Sequence, residues 1–531
     1  MSSSSGNPCA SPSILKSAAF YGVIAVALTW PLMLQFGSSV ISHWDNDIEH
    51  SLWTAWWFGH ALASPDVGLF RTELLHYPSG TDLQFADLNL AVLAPVWLLT
   101  QGLGLAAAYN LVSLASFVLS GLLMQRLAWR ICGHGGASWF AGFAYAASPY
   151  WLSAVCNGWI YHAQIWVFPF VLLMILRAGR RDRIVDFALI GASLGLVFHV
   201  QPYFFLYLAV LLPLLAVWYA PSLAARLCSR AGLLRVGVAI TVTALIVLPR
   251  VWPMIAASGV EMVAHSGPLN TSLVAQPSEM FWPSTASVEA RLADSGYLVV
   301  YLGYVLLGVI ILGCFASRGR RVFLPWLVTA AAMLVLALGP FAGGEEGVRM
   351  PAYWLQQLPG FRFLTNHWRW SAAAGVCLCA AASLGLAALC GRYKKVPWLP
   401  ALIGALLVIE MVALFPFPLR KPLWSVRPSV AAQRLCDEEG VRAVLDVSPN
   451  PKLNQMAHGK ALVGGWLPRL PAAAERSSRA LLEEFHALPD NPAKLKFLAE
   501  HGIDAVLLGP TEGLVIESSA SGGFRRLVVD R

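Results

Sequence analysis

Apolar runs of about 17 to 25 residues recur along the first 415 residues, separated by polar segments. Each is long enough to cross a hydrocarbon core of about 30 Å as a helix, which bonds its own backbone there. The pattern predicts about eleven spans, near residues 16–36, 106–129, 139–151, 162–176, 184–199, 203–218, 233–251, 297–315, 322–339, 370–390 and 398–415. The stretch 88–99 is short and broken by Pro95, so it reads as a helix lying on the membrane surface. After Asp47, the residues Ile48, Leu52, Ala55, Trp56, Gly59 and Leu62 recur at helical spacing beside Trp53, Trp57 and Phe58. That spacing predicts a helix in the interfacial aromatic belt. Asn46-x-x-Glu49 fits a capping box that would open it. From Pro416 the pattern changes to short alternating segments. Residues 441–447, 461–466, 505–508 and 524–529 predict strands, and 472–486 and 493–501 predict helices.

The expected fold class is therefore an all-α polytopic membrane protein with a small C-terminal α/β domain. Its parts are an N-terminal tail (1–15), a transmembrane domain (16–415) and an extracytoplasmic α/β domain (416–531). The long loops are 37–105, 252–296 and 340–369. Composition agrees: 57% of residues are hydrophobic, 12% are charged, and the mean hydropathy is +0.61. The first thirteen residues are Ser/Pro-rich without a basic region, which reads as an uncleaved first span.

Charge sets the orientation. Basic clusters follow the even-numbered spans, as in Arg177, Arg180, Arg181 and Arg183. Before residue 416 the outer side carries Arg71, Arg250, Arg291, Arg349, Arg362 and Arg369, while Asp182 and Asp186 are the cytoplasmic acids. This asymmetry places the N-terminus in the cytoplasm, and the long loops and tail outside. It also accounts for the net charge of +8 without nucleic-acid binding. The location is the cell inner (plasma) membrane, with lipids as neighbours. The nine cysteines have no metal-ligand spacing, and only Cys436 lies in the tail.

Candidate chemistry concentrates in Ser42-His43-Trp44-Asp45-Asn46-Asp47-Ile48-Glu49-His50, just after the first span. Asp45 is placed to take a proton from an acceptor hydroxyl as its oxygen attacks an activated carbon. Asp47 is placed to assist or to hold a divalent cation, Mg or Mn, through oxygen ligands. Glu49 either caps the helix or lines an acceptor cavity. Arg362 and Arg369 precede the tenth span, where a guanidinium can clamp a phosphate or anchor to headgroups. His162 opens the fourth span and is either packed or part of a wet cavity. His76, in a turn, is a phosphate contact or a turn residue. Glu410 is an acid inside the eleventh span. The chain has no phosphate-cradling Gly-rich loop, and its cytoplasmic loops are too short for a nucleotide domain. An activated donor would come from the membrane.

The acidic motif Asp45-Asn46-Asp47-x-Glu49, the surface helix after it and some ten further crossings resemble the GT-C superfamily of membrane glycosyltransferases. Protein O-mannosyltransferases, aminoarabinose transferases and arabinofuranosyltransferases belong to that superfamily. More closely, the chain resembles bacterial YfhO-like members in His76-Tyr77-Pro78-x-Gly80, Ala146-x-Ser148-Pro149-Tyr150, Leu358-Pro359-Gly360-Phe361-x-Phe363 and the tail segment His458-Gly459-Lys460-Ala461-Leu462-Val463-Gly464-Gly465. The resemblance implies a polyprenyl-phosphate sugar donor, a glycan, lipid or protein acceptor, and transfer at the outer face, often with inversion. It implies that Asp45 is the catalytic acid position and Asp47 the second acid, and it leaves the cation open. It also implies a basic donor-phosphate contact in the first loop, for which Arg71 and His76 are the nearby choices. The alternative is a lipid-linked glycan transporter or a surface-polysaccharide assembly protein, which would tolerate changes at Asp45 and Asp47.

Overall fold

The computed structural model describes residues 12–43, 45–218, 229–257, 262–264, 274–283, 296–317, 319–342, 347–489, 491–508 and 528–529. The N-terminal tail, Arg291 and most of the expected strand 524–529 lie outside them. The chain divides into two compact units. One comprises Met1–Leu34, Asn110–Leu248 and Ser266–Pro422; the other comprises Gln35–Tyr109, Pro249–His265 and Leu423–Arg531.

The first unit is a helical bundle. Hydropathy placed most of its helices closely: Ile184–Val200, Pro202–Val217, Leu324–Ala337, Ser371–Arg392 and Leu399–Leu414. Three helices among the described residues are long and apolar enough to cross a membrane: Leu105–Cys132, Arg230–Ala256 and His367–Arg392. Shorter apolar helices accompany them.

Three expected spans are cut where the backbone needs other partners. The first ends at Leu28, ahead of Pro31, which cannot donate a helical hydrogen bond. The stretch 139–151 divides into Gly135–Ala146 and Pro149–Cys156, because the Ser148 hydroxyl accepts from the Trp151 N–H and starts a new helix. The eighth becomes helical only from Tyr304. Ahead of it, residues 296–303 run extended, held by side chains instead of a ladder. Asn157 exchanges two hydrogen bonds with the Tyr297 backbone, both at 2.8 Å, and Ser153 accepts from the Val299 N–H.

Glu410 closes this arrangement. Its buried carboxylate accepts from the Tyr301 hydroxyl and from the Tyr304 and Val305 N–H groups at the start of helix Tyr304–Ala316. An intramembrane acid is thus used as a helix cap, where the positive end of the helix favours an anion.

On the side expected to be cytoplasmic, both acids are paired. Asp186 meets Arg177 at 2.6 Å and Asp182 meets Arg235 at 2.8 Å.

In the second unit the helix Asp45–Ala63 is followed by Leu90–Leu103, which packs on it and runs through Pro95 without ending. Gly59 makes that packing close: a Cβ there would lie 2.5 Å from Trp97. The tail supplies a four-stranded sheet. Ala505–Leu508 lies between Val528–Val529 and Ala443–Asp446, and Ala461–Leu462 lies at the far edge, with every pairing parallel. Parallel strands need crossovers, and the helices Pro451–His458 and Ala472–Ala487 fall between them. Leu445, Val463, Phe485, Phe497, Leu498, Ile503 and Val506 form the core beneath the sheet. Ser39–Ile41 pairs antiparallel with Leu423–Ser425, joining the first-loop segment to the start of the tail.

Glu410→Ala removes three acceptor contacts and leaves two partly buried backbone donors without that acceptor. We expect a stability loss of about 3 kcal/mol, with Glu410→Gln about half as severe. Thermal unfolding in detergent reads this directly; an unchanged midpoint in Glu410→Ala would contradict the cap.

Candidate functional site

The acidic helix is anchored to the tail. It starts at Asp45, whose side chain lies outside the described residues, as does Trp44. Asn46 is exposed and Asp47 half-buried. Glu49 does not reach back to Asn46 as a capping box would. It is buried, and its Oε1 accepts the Leu453 N–H at 3.0 Å. One turn on, Trp53 Nε1 donates to Gln455 Oε1 at 2.7 Å. Both partners lie on the tail helix Pro451–His458.

That helix also brings Lys452 to the acidic motif. Lys452 is fully buried, its Nζ donates to the Trp466 carbonyl at 2.9 Å, and its charge interacts with Glu49 and Asp47. Burial lowers the Lys452 pKa and raises that of Glu49, while each charge works to keep the other ionised. His50, on the same helix, is buried edge-on to Trp466, and neither ring nitrogen has a partner among the described residues. Burial holds it neutral. Among the described residues no three His, Cys, Asp or Glu side chains cluster as metal ligands.

His76 is used inside this unit. Its Nδ1 meets Ser478 Oγ and its Nε2 the Gly465 carbonyl, both at 2.8 Å. The His76 and Tyr77 N–H groups donate to the Gly464 and Leu462 carbonyls, and the Leu462 N–H returns to Leu74. Two motifs that are some 385 positions apart in the sequence are therefore one packed junction. Gly465 must be glycine: its φ is +123°, and a Cβ would lie 2.7 Å from Leu75. Arg71 is exposed, in a short ladder opposite Asp82.

The other candidates lie in the first unit. Arg362 is exposed over the ring of its neighbour Phe363. Arg369 is buried, 4.8 Å above the Trp159 ring, and no carboxylate among the described residues pairs with it. The Trp368 ring lies 6.0 Å from the same guanidinium, and the rings of Trp159 and Trp368 contact each other and those of His162 and Tyr150 at 5.2 to 6.1 Å. The Gln201 amide lies 3.3 Å from His162 Nε2 and its Oε1 accepts from Tyr203, so the amide donates to the ring and leaves the imidazole proton on Nδ1. That nitrogen, Arg369 Nε, Trp368 Nε1 and the Tyr150 hydroxyl are all buried without a partner among the described residues. Of these groups Tyr150 alone lines a cavity of about 60 Å³, together with Ser371, Tyr301 and mostly apolar side chains. Sequence reasoning named Arg369 and His162. It missed Trp159, Trp368 and Lys452, although the aromatic-cation sequence His367-Trp368-Arg369-Trp370 was visible.

No protein-family model matches the chain, and no curated protein matches its sequence. Among solved structures it is similar to the oligosaccharyltransferase of Archaeoglobus fulgidus, crystallised with a tethered acceptor peptide containing the NVT sequon. The identity is 12%, over 92% of this chain and 68% of that one, with a TM-score of 0.53. It is also similar to ArnT from Cupriavidus metallidurans in the apo state, at 14% identity over 92% of this chain and 90% of that one, with a TM-score of 0.51. At such identities the likeness shows the fold alone, which the chain shares with these two proteins.

His76 has its pKa lowered from 6.5, chiefly by burial, against the hydrogen bond to Gly465. A depressed histidine pKa means the unfolded chain takes up the proton first. Stability from this group is complete above 6.5 and falls as pH drops below it. His76→Asn suits the positive φ of this position, +57°. We expect the variant to be less stable at neutral pH and to lose less on acidification from about pH 7.5 to about 5.5. Parallel thermal melts that fall equally with pH would contradict this.

Proposed function

We propose that this protein is a membrane glycosyltransferase that moves a sugar from a polyprenyl-phosphate donor to an acceptor at the outer face of the cell membrane. The observation that carries the proposal is the surround of Arg369. Burying N–H and O–H groups unpaired costs about 1–3 kcal/mol each. Here several such donors share one unpaired guanidinium. An anion that only accepts hydrogen bonds, such as a phosphate, repays that cost, and the aromatic walls keep water away from it. The GT-C fold and the acidic helix following the first span support the same reading.

In this reading Arg369 holds the donor phosphate, His162 and Tyr150 supply further donors, and Arg362 meets the phosphate on arrival. Asp45 takes the acceptor proton as the acceptor oxygen bonds to the anomeric carbon, and the bond from that carbon to the phosphate oxygen breaks. The phosphate leaves with the electron pair and stays with Arg369. Asp47 assists Asp45 or would hold a divalent cation, Mg or Mn, through its oxygens. The about eleven spans, the cytoplasmic N-terminus, the outer tail and the YfhO-like kinship belong to the same proposal. Arg71 and His76 are the first-loop candidates for the donor phosphate in this reading, and both ring nitrogens of His76 are also engaged at the Gly465 junction.

The test is transfer of labelled sugar from a panel of polyprenyl-phosphate sugars in vesicles. Asp45→Asn should lower kcat by about 100-fold or more, the size of a general-base contribution. Arg369→Ala should weaken donor affinity by about 2 kcal/mol, some thirty-fold, seen as a raised KM. Full activity in both variants at normal membrane levels would overturn the proposal and favour a transporter.

A further inference from the structure

We propose that Lys452, carried by the C-terminal segment, is the positioning residue of the acidic motif: its buried ammonium fixes the carboxylates of Asp47 and Glu49 for transfer. This rests on the reading of Asp45 and Asp47 as the acids that serve the acceptor.

Lys452 is an unusual lysine. It is the second residue of helix Pro451–His458, at the end where a cation opposes the helix dipole. It is fully buried, yet its ammonium donates to a neutral carbonyl, that of Trp466. Its Nζ lies 5.4 Å from the Trp466 ring centroid, so the indole covers it on one side. A lysine keeps such a place only if anions offset its desolvation. The anions come from the acidic helix, which this same tail helix grips through Glu49 and Leu453 and through Trp53 and Gln455. Asp47 and Glu49 are two residues apart on one helix and so do not share a face. The ammonium's charge acts on both, and the bond from Leu453 to Glu49 ties the helix that carries it to the turn that begins with Asp45.

The charged and titratable groups around Lys452 come from three elements. Asp47, Glu49 and His50 belong to the acidic helix, His76 to the loop packed on the tail, and Asp446 interacts with Glu49 from the sheet. Removing the ammonium withdraws the field that keeps these carboxylates ionised. The acid limb of transfer should then move to higher pH, by about one unit. A lysine that merely filled space would leave the limb in place.

The experiment uses the full chain in detergent and in vesicles. First, thermal midpoints are measured for Glu49→Gln, Lys452→Met and the double variant. The expected result is a double variant less damaged than the sum of the singles, because the second substitution removes the charge the first left unpaired. Second, the pH profile of transfer is measured for wild type, Lys452→Met and Lys452→Arg. Lys452→Met should lose at least about tenfold at neutral pH and shift its acid limb upward; Lys452→Arg should restore the limb. Additive midpoints overturn the charge pairing. An unmoved limb in Lys452→Met, with an active wild type, overturns the positioning role alone. A wild type without transfer from any donor overturns the functional reading together with the role built on it.

Discussion

A polar group removed from water must find a partner within the chain, and this constraint organises most of the molecule. In the bundle it selects helices. Where helices stop, it recruits side chains: Asn157 and Ser153 hold the extended segment 296–303, and Glu410 caps the helix that follows. The desolvation of a carboxylate is large, and three donors converge on this one to offset it. Not every buried group is satisfied in this way: both ring nitrogens of His50 and the donors named beside Arg369 have no partner among the described residues. In the proposed reading the donor phosphate completes the second set.

The second unit applies the same constraint to charge. Its acidic motif is not a solvated loop. The helix that carries it is bonded to a tail helix some 400 positions later, and the loop at His76 is bonded to the glycines that follow. The tail therefore bears on the acidic motif directly: the helix that bonds Glu49 and Trp53 also carries a buried ammonium with an indole beside it. Substitutions in the tail, far from the first loop in sequence, should act on the chemistry assigned to that loop.

The bundle was largely legible because hydropathy is a local property. Residues 184–199 and 398–415 were predicted as spans and lie within a residue or two of helices Ile184–Val200 and Leu399–Leu414. The misses occur where a non-local bond competes with helix formation. Residues 297–303 are apolar enough for a span, yet Asn157 and Ser153 take backbone groups of this segment. In the tail, alternation marked the strands Ala443–Asp446 and Ala505–Leu508, while the polar helix Pro451–His458 went unrecognised. Lys452 was illegible for the same reason: a single lysine between proline and leucine reads as surface, and only the fold brings two acids to it. Arg369 was legible as a candidate because it sits beside tryptophans just before a span. Its partners, Trp159 and Tyr150, come from elsewhere in the chain.

The most direct measurement of the central claim is the anomeric configuration of the product formed from a polyprenyl-phosphate sugar of known configuration. In direct displacement the acceptor oxygen attacks from the side opposite the phosphate, with one carboxylate taking its proton. Inversion at the anomeric carbon is the result this mechanism predicts. A product that retains the donor configuration would contradict it and would require a covalent sugar intermediate in place of a proton-accepting aspartate.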